Sequence, residues 1–176
     1  MAGAEPRRGF AFLIAFAGVV AAVWVAGRWF AGDDTTPLTA AILGANESRW
    51  LARATGDYDL EFVLRKDRRP DEAWIVHVRG GSVESMKLDG VAAKRPNDAY
   101  TVTGLFDIMR RELELAGSAK VPEGARRGAL LEARFDTETG APLRFKAIAA
   151  EGRSFFIDVL RLERPDGTPI VAAPAS

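Results

Sequence analysis

Hydrophobic residues follow two different patterns along this chain. Residues 10–30 form one run that is apolar on every side of a helix and is interrupted only by Arg28. After this run, apolar residues recur at helical spacing in two stretches and alternate with polar residues in six others. The run is typical of a transmembrane helix, and the later pattern is typical of a small α+β domain.

The length and the aromatic end of the apolar run favour a membrane span. About 21 residues at 1.5 Å per residue reach roughly 31 Å, which is enough to cross the hydrocarbon core of a bilayer. Trp24, Trp29 and Phe30 lie toward its downstream end, where aromatic side chains prefer the membrane interface. We therefore predict a transmembrane helix over 10–30. The alternatives are a cleaved signal peptide, for which the small residues near the end are poorly spaced, and a buried helix of a soluble protein.

The charges on either side of the run predict its orientation. Arg7 and Arg8 precede it, whereas Asp33 and Asp34 follow it. Positively charged flanks stay preferentially in the cytoplasm. We therefore expect a single-pass protein of the cytoplasmic membrane, with its N-terminus in the cytoplasm and its C-terminal domain on the periplasmic side.

The remaining residues are enough for one domain. The predicted layout is a cytoplasmic N-terminus over 1–9, the transmembrane helix over 10–30, a linker over 31–36, an α+β extracytoplasmic domain over 37–165 and a flexible tail over 166–176. Because the linker is short, the domain should stay close to the membrane. Within the span, Gly18, Ala22 and Ala26 recur every four residues, a spacing that permits close contact with another membrane helix.

Two helices and six strands are predicted within the domain. The first helix should begin with Thr36 as N-cap and Pro37 as first helical residue, and the second should be capped by Thr101 or Thr103. The strands are predicted over 57–65, 74–79, 82–88, 128–136, 143–149 and 154–164. Short turns join neighbouring strands, which makes them antiparallel.

The elements follow the order α-β-β-β-α-β-β-β. The simplest architecture places both helices on one face of a six-stranded antiparallel sheet. The opposite face of the sheet would then be polar and would face solvent. A hairpin turn at Gly80 and Gly81, with positive φ, should join the second and third strands.

Composition narrows the functional classes. The chain is 48% hydrophobic and 27% charged, which suits a folded protein, and its formal net charge of zero gives no basic excess for nucleic acid. It contains no Cys, which excludes disulfides, thiolate catalysis and cysteine-ligated zinc. No stretch carries a cofactor signature, so we predict no cofactor.

The single histidine suggests one candidate site. If the hairpins around it are symmetric, Glu61, His77 and Glu84 form one row across three strands on the polar face. Such a row could hold a divalent cation or perform acid–base chemistry. The alternative, which we favour, is a solvated ladder of charges. A shift of one residue in the strand register would break the row.

A second candidate is a group of cations on the polar face of the later strands. Arg134, Arg144 and Lys146 share this face, with Glu132 among them. They could bind an anionic partner such as a lipid headgroup or a polyanion. The alternative is an ordinary solvated sheet face.

Asp158 interrupts an otherwise apolar strand. If it is buried, its carboxylate needs hydrogen-bond donors, and it would become a site candidate. The commoner situation is an exposed position near the covered part of a strand, and this is what we expect.

Several segments carry a family resemblance. They are Trp50 and residues 58–62, 78–83, 101–107 and 135–142, which together extend over most of 50–158. In order and spacing they resemble domain-of-unknown-function family 6174, small exported bacterial proteins that are often lipoproteins. This chain differs in having an apparent membrane anchor in place of a lipidated Cys, and in lacking the Cys pair often found after the first strand. The resemblance implies an envelope location and no particular activity.

Together these features predict a non-enzymatic binding or scaffold module of the bacterial envelope, with a protein or envelope component as partner. The polar sheet face, the charged loops over 66–72 and 118–127 and an exposed edge strand are the surfaces expected to be available. One alternative is an accessory subunit of a membrane complex that uses the small residues of the span. Another is a metal-dependent or acid–base enzyme that uses the row of Glu61, His77 and Glu84.

Overall fold

The computed structural model describes residues 35–53, 56–94, 97–118, 129–149 and 153–171. All of them belong to one compact unit, Thr35–Ser176. The predicted transmembrane helix, with Gly18, Ala22 and Ala26, lies outside these ranges, as does nearly all of the loop over 118–127. Within the ranges, every helix is too short or too polar to cross a bilayer.

Eight strands and two α-helices make up the described part of the chain. In order they are β1 (Thr36–Pro37), α1 (Ala40–Arg53), β2 (Tyr58–Lys66), β3 (Glu72–Arg79), β4 (Ser82–Leu88), β5 (Val91–Ala92), a 3-10 helix (Asp98–Tyr100), α2 (Val102–Ser118), β6 (Leu130–Phe135), β7 (Pro142–Ile148) and β8 (Ser154–Glu163). The strands form one antiparallel sheet in the order β1-β6-β7-β8-β2-β3-β4-β5. The predicted α+β class and antiparallel pairing are confirmed, but the sheet has eight strands rather than six.

The first helix begins later than predicted. Thr36 and Pro37 form β1, which pairs with β6 at the edge of the sheet, where a residue without an N–H is tolerated. The helix N-cap is instead Thr39, whose Oγ1 accepts a hydrogen bond from the Ile42 N–H at 3.2 Å. The prediction was wrong because Thr36 and Thr39 both suit an N-cap, so the local sequence does not distinguish them. The pairing of Thr36 with β6, about 95 residues later in the chain, leaves Thr39 as the cap.

The second helix begins where the sequence indicated. The Thr101 hydroxyl accepts a hydrogen bond from the Gly104 N–H at 3.0 Å, so Thr101 rather than Thr103 is the cap. Gly104 packs against the 3-10 helix so closely that a Cβ there would lie 2.4 Å from the Asp98 carbonyl oxygen. Only glycine therefore fits at this point of the helix.

The hydrophobic core lies between the helices and one face of the sheet. Alternate residues of β2 point into it, as the pattern predicted. The largest fully buried side chains are Phe62, Phe106, Phe145, Leu60, Leu105, Met109, Ile157 and Leu162. Each such side chain contributes about 1.5–3 kcal/mol when removed from water. The polar positions of β2, β3, β6 and β7 therefore lie on the other face of the sheet, called the open face below.

Both edges of the sheet are short within the described ranges. β1 contains Pro37, which cannot donate to a neighbouring strand, and β5 has only two residues. Next to β5, backbone groups on the outer edge of β4 are already hydrogen-bonded. The Val83 N–H donates to Asp98 Oδ1 at 2.9 Å, and the Met86 carbonyl accepts from the Ala93 N–H at 2.9 Å. The edges thus offer little backbone to an added strand, contrary to the expected exposed edge.

Residues 164–171 fold back against β8. The Ile170 N–H donates to the Leu162 carbonyl at 2.9 Å, and Val171 is buried in the core. The predicted tail over 166–176 therefore starts within a hydrogen-bonded turn, and residues 172–176 lie outside the described ranges.

Candidate binding surface on the open face of the sheet

The open face carries two clusters of charged side chains. The first, the cationic patch, consists of Arg65, Arg134, Arg144 and Lys146 with the carboxylates of Glu132 and Asp158. The second, the Asp59 network, consists of Asp59, His77 and Arg79. The cationic patch spans β6, β7, β8 and β2, whereas the Asp59 network spans β2 and β3.

The predicted row of Glu61, His77 and Glu84 does not form. Asp59 lies opposite His77 in β2, and Glu61 pairs with Ile75. On the other side of His77, Ser85 is its partner, because a β-bulge shifts the register and takes Glu84 out of the ladder. The prediction assumed symmetric hairpins, which neither connection provides. No group of three His, Cys, Asp or Glu side chains suited to a metal ion occurs among the described residues.

The Asp59 network satisfies its own members. His77 Nδ1 lies 2.9 Å from Asp59 Oδ1, and Arg79 Nη1 donates to the same oxygen at 2.8 Å. Arg79 also donates to the backbone carbonyls of Val78 and Tyr58 at 2.7 and 3.1 Å. Burial alone would raise the pKa of Asp59, but the hydrogen bonds and charges of His77 and Arg79 outweigh it and lower the pKa. His77 and Arg79 therefore hold the Asp59 carboxylate in its charged form on the open face of the sheet.

Asp158 is the centre of the cationic patch. Arg65 Nη1 donates to its Oδ2 and Arg144 Nε donates to its Oδ1, each at 2.5 Å. The residue is only 8% exposed, so the expected exposed position was wrong. β8 lies between β7 and β2 in the middle of the sheet, and both neighbours bring an arginine to the carboxylate. Strand order could not be read from the local sequence, and it is what buries this residue.

The remaining cations lie where the pattern predicted. Arg134 is directly opposite Arg144, and Lys146 is directly opposite Glu132, on the adjacent strands β6 and β7. Lys146 Nζ lies 3.4 Å from Glu132 Oε2, and the Thr35 hydroxyl donates to the same oxygen at 3.1 Å. Glu132 therefore interacts with Lys146 and Thr35 rather than with Arg134.

Arg134 is the exception in the patch. Its Nε is buried and has no hydrogen-bond partner among the described residues. A buried donor left unpaired costs about 1–3 kcal/mol, and like charges directly opposite one another on two strands are also destabilising. Arg134 is therefore the one residue of the patch with an unpaired buried donor among the described residues.

Arg65 was missed as a member of this site. Alternation along β2 places it on the polar face, but only the pairing of β2 with β8 brings it to Asp158. The sequence therefore indicated on which face of the sheet Arg65 lies, but not that Asp158 is its neighbour.

A scan against protein-family models finds no match for this chain, and a search of curated proteins finds none either. The resemblance to domain-of-unknown-function family 6174 thus stays a prediction. The segments that suggested it fall on α1, β2, the β3–β4 turn, the start of α2 and the β6–β7 turn. These are positions where strand patterns, caps and turns recur in unrelated proteins.

Proposed function

We propose that this chain is a membrane-anchored, extracytoplasmic and non-enzymatic binding module of the bacterial envelope, and that the cationic patch is its binding surface. The observation that carries the proposal is Arg134, which lies beside Arg144 and whose buried Nε has no hydrogen-bond partner among the described residues. An anionic group of a partner would pair with the charge of the Arg134 guanidinium, and hydrogen bonds between charged groups are stronger than neutral ones.

The charge balance of the patch supports an anionic partner. Among the described residues, four cationic side chains interact with or lie beside three carboxylates, those of Glu132, Asp158 and Asp71, and Asp158 already accepts from two arginines. Glu132 accepts from Thr35 and Lys146. Both carboxylates of the patch are therefore already engaged by groups of the fold.

The envelope location is supported by the sequence. The apolar run over 10–30 and the charge difference between Arg7, Arg8 and Asp33, Asp34 favour an anchored domain on the periplasmic side. The resemblance to domain-of-unknown-function family 6174 agrees with it. The alternative of an accessory subunit depends on residues outside the described ranges and has no further support, and the row required by the enzyme alternative does not form.

The binding surface can be tested by cysteine accessibility, because the natural chain contains no Cys. Leu130 lies on the open face beside the patch and is 39% exposed, whereas Leu51 lies on α1 and is 57% exposed. We expect a maleimide to label Leu130→Cys slowly in native membranes and quickly in detergent. Leu51→Cys should be labelled quickly in both.

The charge dependence of this protection is the decisive comparison. Arg134→Glu should make Leu130→Cys reactive in native membranes, because it removes the central donor. Arg53→Glu, an exposed change on α1 whose only described ion pair is 4.0 Å long, should leave the protection unchanged. Equal reactivity of Leu130→Cys in membranes and detergent would refute the proposed surface.

The location has its own test. A membrane-impermeant maleimide applied to spheroplasts should label Leu51→Cys if the domain is extracytoplasmic. Labelling that requires lysis of the inner membrane would contradict the location.

A further inference from the structure

We infer that the turn between β2 and β3 is a second interaction surface, which binds an acidic segment of a partner protein through Arg68 and Arg69. This surface, residues 67–71, is called the basic turn below. It lies outside the cationic patch, and the inference does not rest on the function proposed above. It depends on the backbone conformation of Arg68, on the exposure of the turn and on the partners of the neighbouring charges.

Arg68 occupies a backbone conformation that its residue type disfavours. It is the third residue of a turn that the Arg69 N–H closes by donating to the Lys66 carbonyl at 3.1 Å. Its φ is 57°, and a third turn residue with positive φ is usually glycine or asparagine. For an L-residue with a side chain this left-handed conformation costs free energy, because the Cβ lies too close to the following carbonyl oxygen.

The other positive φ angles among the described residues are explained within the fold. They occur at Asp89 and at the five glycines Gly80, Gly81, Gly90, Gly140 and Gly167. The Asp89 carboxylate accepts a hydrogen bond from the Ala73 N–H at 3.0 Å, and aspartate tolerates this conformation better than most residues. The Arg68 side chain is 92% exposed, and its one described ion pair, with Asp67, is 3.5 Å long. No described contact therefore offsets the presence of an arginine at this position.

The basic turn is exposed and fixed to the sheet. All of residues 67–71 are exposed. The Asp67 N–H donates to the Ser154 carbonyl at 3.0 Å, which holds the turn against the start of β8. A segment that is fixed before binding loses less conformational entropy when it binds. An exposed turn suits a macromolecular partner, because sites for small molecules are concave.

The carboxylates beside the turn already have cationic partners. Asp71 accepts from Arg65 at 3.0 Å, and Lys66 Nζ lies 3.4 Å from Glu72 Oε1. Arg69 is exposed and makes no ion pair with the described residues. The basic turn therefore offers two guanidinium groups that the described part of the fold leaves largely unused.

The composition of the turn favours carboxylates of a protein over phosphates of nucleic acid or lipid. An arginine fork donates two parallel hydrogen bonds to either kind of oxyanion. Residues 66–72 include no aromatic side chain on which a base could stack, and the net charge of the chain is zero. They also include no large apolar side chain that could enter the acyl boundary of a bilayer. An acidic protein segment requires neither feature.

The inference can be tested by the binding of fluorescein-labelled hexaglutamate to the purified full-length chain in detergent at low salt, measured by fluorescence anisotropy. Arg68→Gly and Arg69→Gln should each raise the Kd by about fivefold, the size expected for one exposed charged pair. Arg111→Gln, which removes an exposed arginine from α2, should leave the Kd unchanged. Equal binding by wild type and both turn variants would overturn the inference.

Arg68→Gly also separates binding from folding. Glycine suits the positive φ, so the midpoint of thermal unfolding should rise by about 2–4 °C while hexaglutamate binding weakens. A lower midpoint would show that Arg68 stabilises the turn by its own contacts, and this result would overturn the inference.

Two further comparisons distinguish the partner and the surface. Fluorescein-labelled hexathymidylate should bind more weakly than hexaglutamate, and tighter binding of the oligonucleotide would overturn an acidic protein segment as ligand. Arg134→Gln should leave the Kd for hexaglutamate unchanged. If Arg134→Gln raises this Kd and the two turn variants do not, the peptide binds the cationic patch, so the inference fails while the proposed binding surface stands.

Discussion

The Asp59 network and the cationic patch lie on the same face of one sheet and are built from similar side chains. In the Asp59 network, His77 and Arg79 converge on one carboxylate, and the remaining Arg79 bonds go to the backbone. In the cationic patch, Asp158 binds two arginines, but Arg134 is left with a buried nitrogen that has no acceptor in the described ranges.

This difference separates a structural cluster of charges from a candidate site. The cationic patch contains more charged side chains than the Asp59 network, but the number of charges alone does not make it a site. What distinguishes them is whether their described buried polar groups all have hydrogen-bond partners. An unpaired buried donor destabilises the fold, and such donors are rare in native proteins. Substituting Asp59 should therefore lower the free energy of unfolding, whereas substituting Arg134 should leave it unchanged or raise it.

The largest effect is expected for Asp158→Ala. This change removes the carboxylate that binds Arg65 and Arg144 and leaves two guanidinium groups around a buried position. Breaking a buried pair costs about 3–5 kcal/mol, and because both arginines are about a third exposed we expect about 2–3 kcal/mol. The free energy of unfolding, measured by urea denaturation, reports this loss. Asp71→Ala, which removes a more exposed partner of Arg65, should cost under about 1 kcal/mol.

A smaller loss is expected for Asp59→Asn at neutral pH. The substitution keeps the shape of the side chain but removes the charge that His77 and Arg79 contact, and charged hydrogen bonds contribute about 1.5–3 kcal/mol. Arg79 keeps its backbone acceptors, so we expect about 1–2 kcal/mol in the same assay. Glu61→Gln, which affects a more exposed pair with Arg161, is the matched control and should change stability by under about 1 kcal/mol. Equal losses in both variants would remove the special status of the network.

The contribution of Asp59 should also depend on pH. Its pKa is lowered in the folded state, because the bonds from His77 and Arg79 outweigh the effect of burial. Stability from this group is therefore fully present above the unfolded pKa of about 3.9 and is lost as the pH falls through the lower folded value. The difference in unfolding free energy between wild type and Asp59→Asn should be constant above about pH 5 and shrink below about pH 4. A difference that stays constant down to pH 2 would contradict this assignment.

The smallest effect, and the one of opposite sign, is expected for Arg134→Leu in detergent without added anions. Removing a buried donor that has no partner among the described residues, together with a like-charge neighbour, should leave stability unchanged or raise it by about 0.5–1 kcal/mol. Thermal unfolding of the purified protein measures this. Arg161→Leu, which removes an exposed arginine paired with Glu61 and Glu163, should instead cost up to about 1 kcal/mol. A clear loss of stability in Arg134→Leu would show that Arg134 is already satisfied within the fold.

The local sequence pattern predicted the helices and strands of the domain well, but it predicted poorly which strands pair and in which register. Alternation along β2 identified its buried face, Thr101 identified a helix start, and positive φ at Gly80 and Gly81 agrees with the predicted hairpin turn. These features depend on residues a few positions apart, so the sequence contains the information directly. Arg134, Arg144 and Lys146 were placed on one face for the same reason.

The errors concern pairing over long distances in the chain. Thr36 and Pro37 have the chemistry of a helix start but complete the edge of the sheet against β6. His77 faces Asp59 rather than Glu61 because the hairpin is asymmetric, and Glu84 leaves the row through a bulge. Each of these outcomes depends on a register, and a register is set by the packing of the whole sheet on the helices.

The order of residues along the chain was enough to determine which side chains turn toward the core, where the helices are capped and which cations share a face, because backbone periodicity and turn chemistry are local. Only the tertiary structure decided which charges meet. It put β8 in the centre of the sheet, which buried Asp158 between Arg65 and Arg144, and it left Arg134 beside Arg144 with no acceptor for its buried nitrogen among the described residues. The physical reason is that strand order and register are chosen by the packing energy of the whole domain, which no short segment contains.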